Sequence, residues 1–102
     1  MLKWLINIWF KVSRMKLKYN FVINTVVDKF VAVAIGADAE KFNGFIKMND
    51  IGAEIFEILR DDVTVDEIVT LMLQKHPEST DEEARAVVID FTNRLKDSGI
   101  ID

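Results

Sequence analysis

GFIKMNDIGAEIFEIL, Gly44 to Leu59, carries two periodicities with no loop between them. As far as Met48 the run alternates as a strand does; from Asp50 onward Ile51, Ile55, Ile58 and Leu59 recur at helical spacing. One residue, Asn49, stands at the junction, and its side chain suits the N-cap of a helix starting at Asp50. A strand that passes straight into a helix holds its own edge beside that helix. The flanking sequence decides how many strands back it and what packs across it.

Upstream, NFVINTVVDKFVAVAIG (residues 20–36) reads as two β-rich runs, Phe21–Val26 and Phe30–Gly36, hinged at residues 27–29. The second run is apolar on both faces, with Val31, Val33 and Ile35 on one and Phe30, Ala32 and Ala34 on the other, which places it mid-sheet. Residues 37–43 are polar enough for a connection, and residues 44–48 make the third strand of an antiparallel meander. Downstream, Gly52 sits in the first helix where a close helix–sheet contact fits. The second helix opens at Thr64 with Glu67 closing a capping box, carries Val65, Ile68, Val69 and Met72 inward, and stops at Pro77. The third opens at Thr80 with Glu83, carries Ala84, Val87, Val88, Phe91 and Leu95 inward, and ends at Gly99 before a short apolar tail, GIID. The predicted class is therefore α+β, a winged helix-turn-helix-like domain with a three-stranded antiparallel sheet followed by three helices. Its core is expected to include Val31, Ile46, Ile55, Ile68, Val88 and Phe91.

The 102 residues are enough for one domain, half of them apolar, at a formal charge of −4. Without cysteine there is no disulfide framework, thiolate metal site or cysteine nucleophile, and the composition leans towards a reducing, cytoplasmic setting. Charge is unevenly placed. Lys3, Lys11, Arg14, Lys16 and Lys18 precede the first acidic residue, Asp28, and beyond Val27 eight basic residues face seventeen acidic ones. Residues 1–15, MLKWLINIWFKVSRM, thus form a basic apolar arm ahead of a domain at 16–102. Asn7 interrupts the apolar run and no cleavage site follows, which argues against a signal peptide, and the run falls short of the ~20 apolar residues of a membrane span. As a helix, Leu2, Leu5, Ile6, Trp9 and Val12 share a face suited to a partner or a membrane interface. As a strand, Leu2, Trp4, Ile6, Ile8, Phe10 and Val12 alternate against Lys3, Asn7 and Lys11. An upstream extension ahead of a start at Met15 is a third reading. The strand pattern leads to the expectation that the arm occupies a groove, its own or a neighbouring chain's, when that groove is otherwise empty.

In that order, FIKMNDIGAEIFEIL, TVDEIVTLMLQKHP and VVIDFTNRLKDSGIID resemble the PqqD-like proteins, the recognition elements for ribosomally made, post-translationally modified peptides. Met48-Asn49-Asp50-Ile51-Gly52 stands where that family carries a Leu-Asn-x-Thr-Gly-like junction, with Met48 and Ile51 as departures. The resemblance spans Lys16 to Asp102. It implies a non-catalytic adaptor without cofactor, which binds the leader segment of a precursor peptide and presents the remainder to a modifying enzyme, often a radical SAM enzyme. The leader would add as a strand to the edge at residues 43–48 and pack on the third helix. On that edge the resemblance points to Asn43, Phe45, Ile46 and Lys47. On the third helix Arg85, Ile89, Thr92 and Lys96 fall to one side of the core stripe, Ile89 being an apolar residue between two cations, and with Val88 they complete the predicted peptide site.

Rival chemistry finds little support. His76 is the only histidine and no cysteine accompanies it, so no metal site is expected. Asp81, Glu82 and Glu83 open a helix, where capping and the helix dipole account for them. No phosphate loop or nucleophile elbow is present. DNA binding is the main alternative for a winged helix, but the would-be recognition helix begins with those three acids on a body of net charge −9, so no nucleic acid is expected. A further alternative is a protein-interaction module that dimerises through the second apolar face of the sheet.

Overall fold

Residues 14–101 are described by the computed structural model, and their sheet is an antiparallel meander in the order β1-β2-β3. β1 (Phe21–Val26) and β2 (Lys29–Ala34) pair along their length; β3 (Phe45–Met48) pairs with β2, placing Met48 opposite Phe30 and Phe45 opposite Val33. Three helices follow, α1 (Asp50–Ile58), α2 (Val65–Lys75) and α3 (Asp81–Asp97), so the predicted class and element order hold. Thr64 and Thr80 each form a complete capping box with Glu67 and Glu83, and Asn49 caps α1.

One face of the sheet packs on the helices through buried Phe21, Ala32, Ala34 and Met48, with Ile23, Phe30 and Ile46 half-buried against the same core. Val31, placed in the core by its sequence context, lies on the opposite face with Val33, and both are half-buried. β2 is apolar on both faces, so its sequence leaves the inward face open. The alanines turn inward and leave room for Phe21 and Phe56, whose rings meet edge to face at 5.3 Å. The connection after β2 contains a short 3-10 turn, Gly36–Ala39, where the Asp38 carboxylate accepts the Asn20 N–H at 2.8 Å. Phe42 then packs on Tyr19 and Phe21 at centroid distances of 6.4 and 5.7 Å.

The segments that flank the regular elements lace the helix ends together. Met15 and Val63 exchange backbone hydrogen bonds of 2.7 and 2.9 Å, the Leu17 N–H donates to the Leu59 carbonyl at 2.9 Å, and the Lys18 N–H donates to Ile100 at 2.8 Å. Met15, Leu17, Ile100 and Ile101 are all buried. Met15, assigned to the arm by its sequence, therefore joins the core, and Ile100 and Ile101 close that core where a tail was expected. The rest of the arm, residues 1–13, lies outside the described residues.

Two backbone positions make measurable demands. At Gly52 an added Cβ would stand 3.0 Å from Cε1 of Phe91 and 3.3 Å from both Asn49 Oδ1 and Met48 Cβ. Gly52→Val is therefore expected to cost about 1–3 kcal/mol by overpacking. Phe91→Ala, in the buried core, is expected to cost about 3–5 kcal/mol. Urea unfolding checks both, and the Gly52→Val penalty should shrink in the Phe91→Ala background because the two side chains compete for the same space. At the β1–β2 turn Val27 adopts φ 60°, a conformation that a β-branched residue resists, with its side chain 91% exposed. Val27→Gly should raise stability by about 1 kcal/mol, and an unchanged urea midpoint would mean that the turn carries no strain.

Candidate functional site

Among the described residues no strand pairs with the outer edge of β3. Ile46 and Met48 turn towards the helices, while Phe45 (62% exposed) and Lys47 turn away. Asn49 is the only residue between β3 and α1, and its Oδ1 accepts the Gly52 N–H at 2.8 Å, so the first turn of α1 follows directly on the end of the strand edge.

α3 runs beside this junction. Val87, Phe91 and Arg94, spaced i, i+4, i+7, share one of its sides. Phe91 and Arg94 line a hollow of about 320 Å³ with Asp28, Lys29, Lys47, Met48 and Asn49. Val87, with Ala84 and Val88, lines another of about 220 Å³ against Ile51, Ile55 and Met72, together with His76, Glu78, Ser79 and Glu83. The short run from Met48 to Ile51 links the two, so together they form a broken trough along α3. Towards the start of the helix it has an apolar floor bordered by Glu78 and Glu83, and it is cationic towards the end of β3, where Lys29, Lys47 and Arg94 form no ion pair among the described residues.

The residues predicted from the sequence fall into two places. Asn43, Phe45, Ile46 and Lys47 lie at the edge, Asn43 in the loop just before it. Arg85, Ile89, Thr92 and Lys96 do share a stripe, but that stripe faces α2 instead of β3: with Val65, Asp66, Thr70 and Asn93 they line a separate hollow of about 690 Å³. Val87 and Ile89 flank the core stripe on opposite sides, roughly 200° apart at 100° per residue. Their exposures, 46% and 41%, are nearly equal, so periodicity alone does not say which flank meets the sheet. Nor is Arg85 a free cation, since its Nη1 lies 2.6 Å from Asp66 Oδ1 and its Nε 3.3 Å from Asp81 Oδ2. Thr92 is 2% exposed, its hydroxyl donating to the Val88 carbonyl at 2.9 Å, and Val88 itself is core beneath the trough.

Val87, read from the sequence as core, is thus a groove residue. Ile51 and Arg94 join it, and no sequence reasoning singled them out for the site. The one available signal was the apolar–apolar–cation series at positions 87, 91 and 94. Among the described residues no cluster of three or more histidine, aspartate or glutamate side chains is placed to hold a metal ion, and no helix is long and apolar enough to cross a membrane.

Comparison with known proteins decides the family. Residues 25–101 match the family described as coenzyme PQQ synthesis protein D (PqqD). The chain belongs to the PqqD family. Its fold is shared with a solved structure described as TbiB1 in complex with the TbiA(beta) leader peptide, at a TM-score of 0.64 and 15% identity, covering 85% of this chain and 94% of that one. No curated protein matches the sequence. In this PqqD-family chain the unpaired edge and the start of α3 bound the trough, so the rigidity of that helix start bears on the site.

That start is held by Glu83, whose carboxylate accepts the Thr80 backbone N–H at 3.0 Å and the Thr80 hydroxyl at 3.1 Å. The backbone bond first, then the hydroxyl, lowers the Glu83 carboxyl below its ordinary value. A carboxyl depressed in the folded state stabilises above its unfolded pKa, and that contribution is lost as pH falls through the folded value. An NMR titration of the side-chain carboxyls should therefore place the Glu83 midpoint below the ordinary value of a glutamate. Thr80→Ala keeps the backbone N–H and removes only the hydroxyl, so it should narrow the offset without abolishing it and lower stability. That penalty should ease in acid but persist, because the hydroxyl also accepts the Glu83 N–H at 3.1 Å.

Proposed function

We propose that this chain is a non-catalytic adaptor of peptide modification. It binds the leader segment of a ribosomally synthesised precursor peptide as a fourth strand on β3 and presents the remainder to a modifying enzyme, for which a radical SAM protein is the proposed partner. The observation that carries this reading is the unpaired edge of β3, which lies beside an α3 side that is apolar at one end and cationic at the other. Family membership supports it, as does the shared fold with a protein solved with a leader peptide on it. Strand addition supplies backbone hydrogen bonds that any extended peptide satisfies; pockets for alternate side chains supply selectivity. The proposed contacts are Phe45–Met48 on the edge, Ile51 at the start of α1, and Val87, Phe91 and Arg94 on α3. The lone cations favour a leader with a carboxylate where the strand ends and apolar side chains where α1 begins. The proposed setting is the cytoplasm, where the precursor is made.

The test is calorimetry and amide NMR with a synthetic leader of the precursor encoded beside this gene. Binding should shift the amides of residues 45–48. Val87→Glu should weaken it at least tenfold, about 1.4 kcal/mol, because it puts a hydrated acid where an apolar side chain docks. Lys47→Glu and Arg94→Glu should weaken an acidic leader and flatten its salt dependence. Ile89→Glu, on the far flank of α3, should leave affinity unchanged. Loss of binding in Ile89→Glu with Val87→Glu unaffected would transfer the site to the α2–α3 side, and failure of the leader to bind would end the proposal.

A further inference from the structure

We infer that residues 1–13 dock on the body of the same chain, with their apolar side chains in the hollow between α2 and α3, on the flank of α3 that faces away from β3. Three observations meet there. The first is where the chain emerges. The Arg14 guanidinium donates to the Asp62 carbonyl, its Nε lies 3.2 Å from Asp62 Oδ2, and its Nη2 lies 3.3 Å from Glu67 Oε1. With Met15 paired to Val63, Arg14 sits against the first turn of α2, which also supplies Val65 and Asp66 to the rim of the hollow.

The second is the hollow itself. At about 690 Å³ it is the roomiest among those described, and it carries Ile89 as an apolar side chain facing solvent. The third is complementarity. Residues 1–13 contain Leu2, Trp4, Leu5, Ile6, Ile8, Trp9, Phe10 and Val12 with Lys3 and Lys11 and no acid. The approach to α2 and the hollow present Asp61, Asp62, Asp66 and Glu67 against Arg14, Arg85 and Lys96, with Arg14 and Arg85 already paired to these acids. The competing apolar surface is the outer sheet face, where Val22, Val33 and Phe45 form a row across the strands. That face carries Lys29 and Lys47, of the same sign as the segment, which disfavours it. A tether of this length keeps the segment at roughly millimolar effective concentration near its own exit, so modest affinity suffices. Docking there is compatible with an open β3 edge, and the inference does not depend on what binds that edge.

Trp4 and Trp9 are the two tryptophans of the chain, so indole emission reports this segment and nothing else. In the full-length protein we expect blue-shifted emission shielded from acrylamide and independent of protein concentration. Ile89→Glu should shift emission to that of exposed indole and raise the quenching constant several-fold, with far-UV dichroism and the urea midpoint unchanged. Phe45→Glu should leave emission as it was. A second measurement uses the absence of cysteine: a nitroxide attached at Thr70→Cys, inside the hollow, should quench the emission, and one at Val27→Cys, on the hairpin tip, should not. Exposed indole in the wild type, shielding that survives Ile89→Glu, shielding lost in Phe45→Glu, or shielding that appears only on concentration would each overturn intrachain docking in this hollow.

Discussion

At Gly52 the ring of Phe91 comes so near α1 that an added methyl would stand 3.0 Å from Cε1, with Met48 and Asn49 crowding the same point. Because α1 begins one residue after β3, this contact sets more than a helix–helix spacing. It fixes how far α3 stands from the strand edge. A bulkier residue at position 52 pushes α3 outward and widens the trough; loss of the ring lets it collapse. The Asn49 cap holds the same few residues from within, since its acceptance of the Gly52 N–H ties the strand's end to the helix's start. Strand, junction and groove wall are thus positioned by a cluster of three side chains and one missing Cβ.

The opposite flank of α3 is held differently. Arg85 joins α3 to Asp66 of α2 and to Asp81 of its own first turn, and the core residues Val88, Phe91 and Leu95 anchor the helix below. These are surface ion pairs, worth roughly 0–1 kcal/mol each, so they orient the helix more than they stabilise it. Ile100 and Leu17 close the far end, where backbone bonds from the chain's entry stitch it to its exit. α3 therefore stays fixed while its Val87 side remains open to solvent, as a wall that receives a ligand must.

Most of the fold was legible because its signals are local. Two capping boxes, the Asn49 junction, Pro77 and the β-rich runs each depend on neighbours a few residues away, and all appear where the sequence puts them. What failed was parity. β2 is apolar on both faces, so Val31 and Ala32 were equally eligible for the core. α3 has an apolar residue on each flank, so Val87 and Ile89 were equally eligible for the groove. Only tertiary neighbours break such ties: the space needed by Phe21 and Phe56 in one case, and the positions of α2 and β3 in the other. The buried ends at Met15, Leu17 and Ile101 were missed for another reason, since isolated bridges of one or two residues have no period to detect.

The energetics of an edge this short say where peptide selectivity must reside. β3 has four residues. An added strand of that length gains a handful of backbone hydrogen bonds at roughly 0.5–1.5 kcal/mol net each. Ordering the peptide backbone costs roughly 1–2 kcal/mol per residue, so strand addition by itself comes out near zero or unfavourable. An apolar side chain moved from water to a buried site contributes roughly 1.5–3 kcal/mol, and two of them turn the balance. In the proposed complex those sites lie on α3 and the start of α1, beside Val87, Phe91 and Ile51, and not on the strand. There the edge would select only for an extended conformation, while the helix wall would choose among sequences. The same weakness protects the empty protein: a four-residue edge carrying Lys47 offers little to a stray strand that lacks the right anchors.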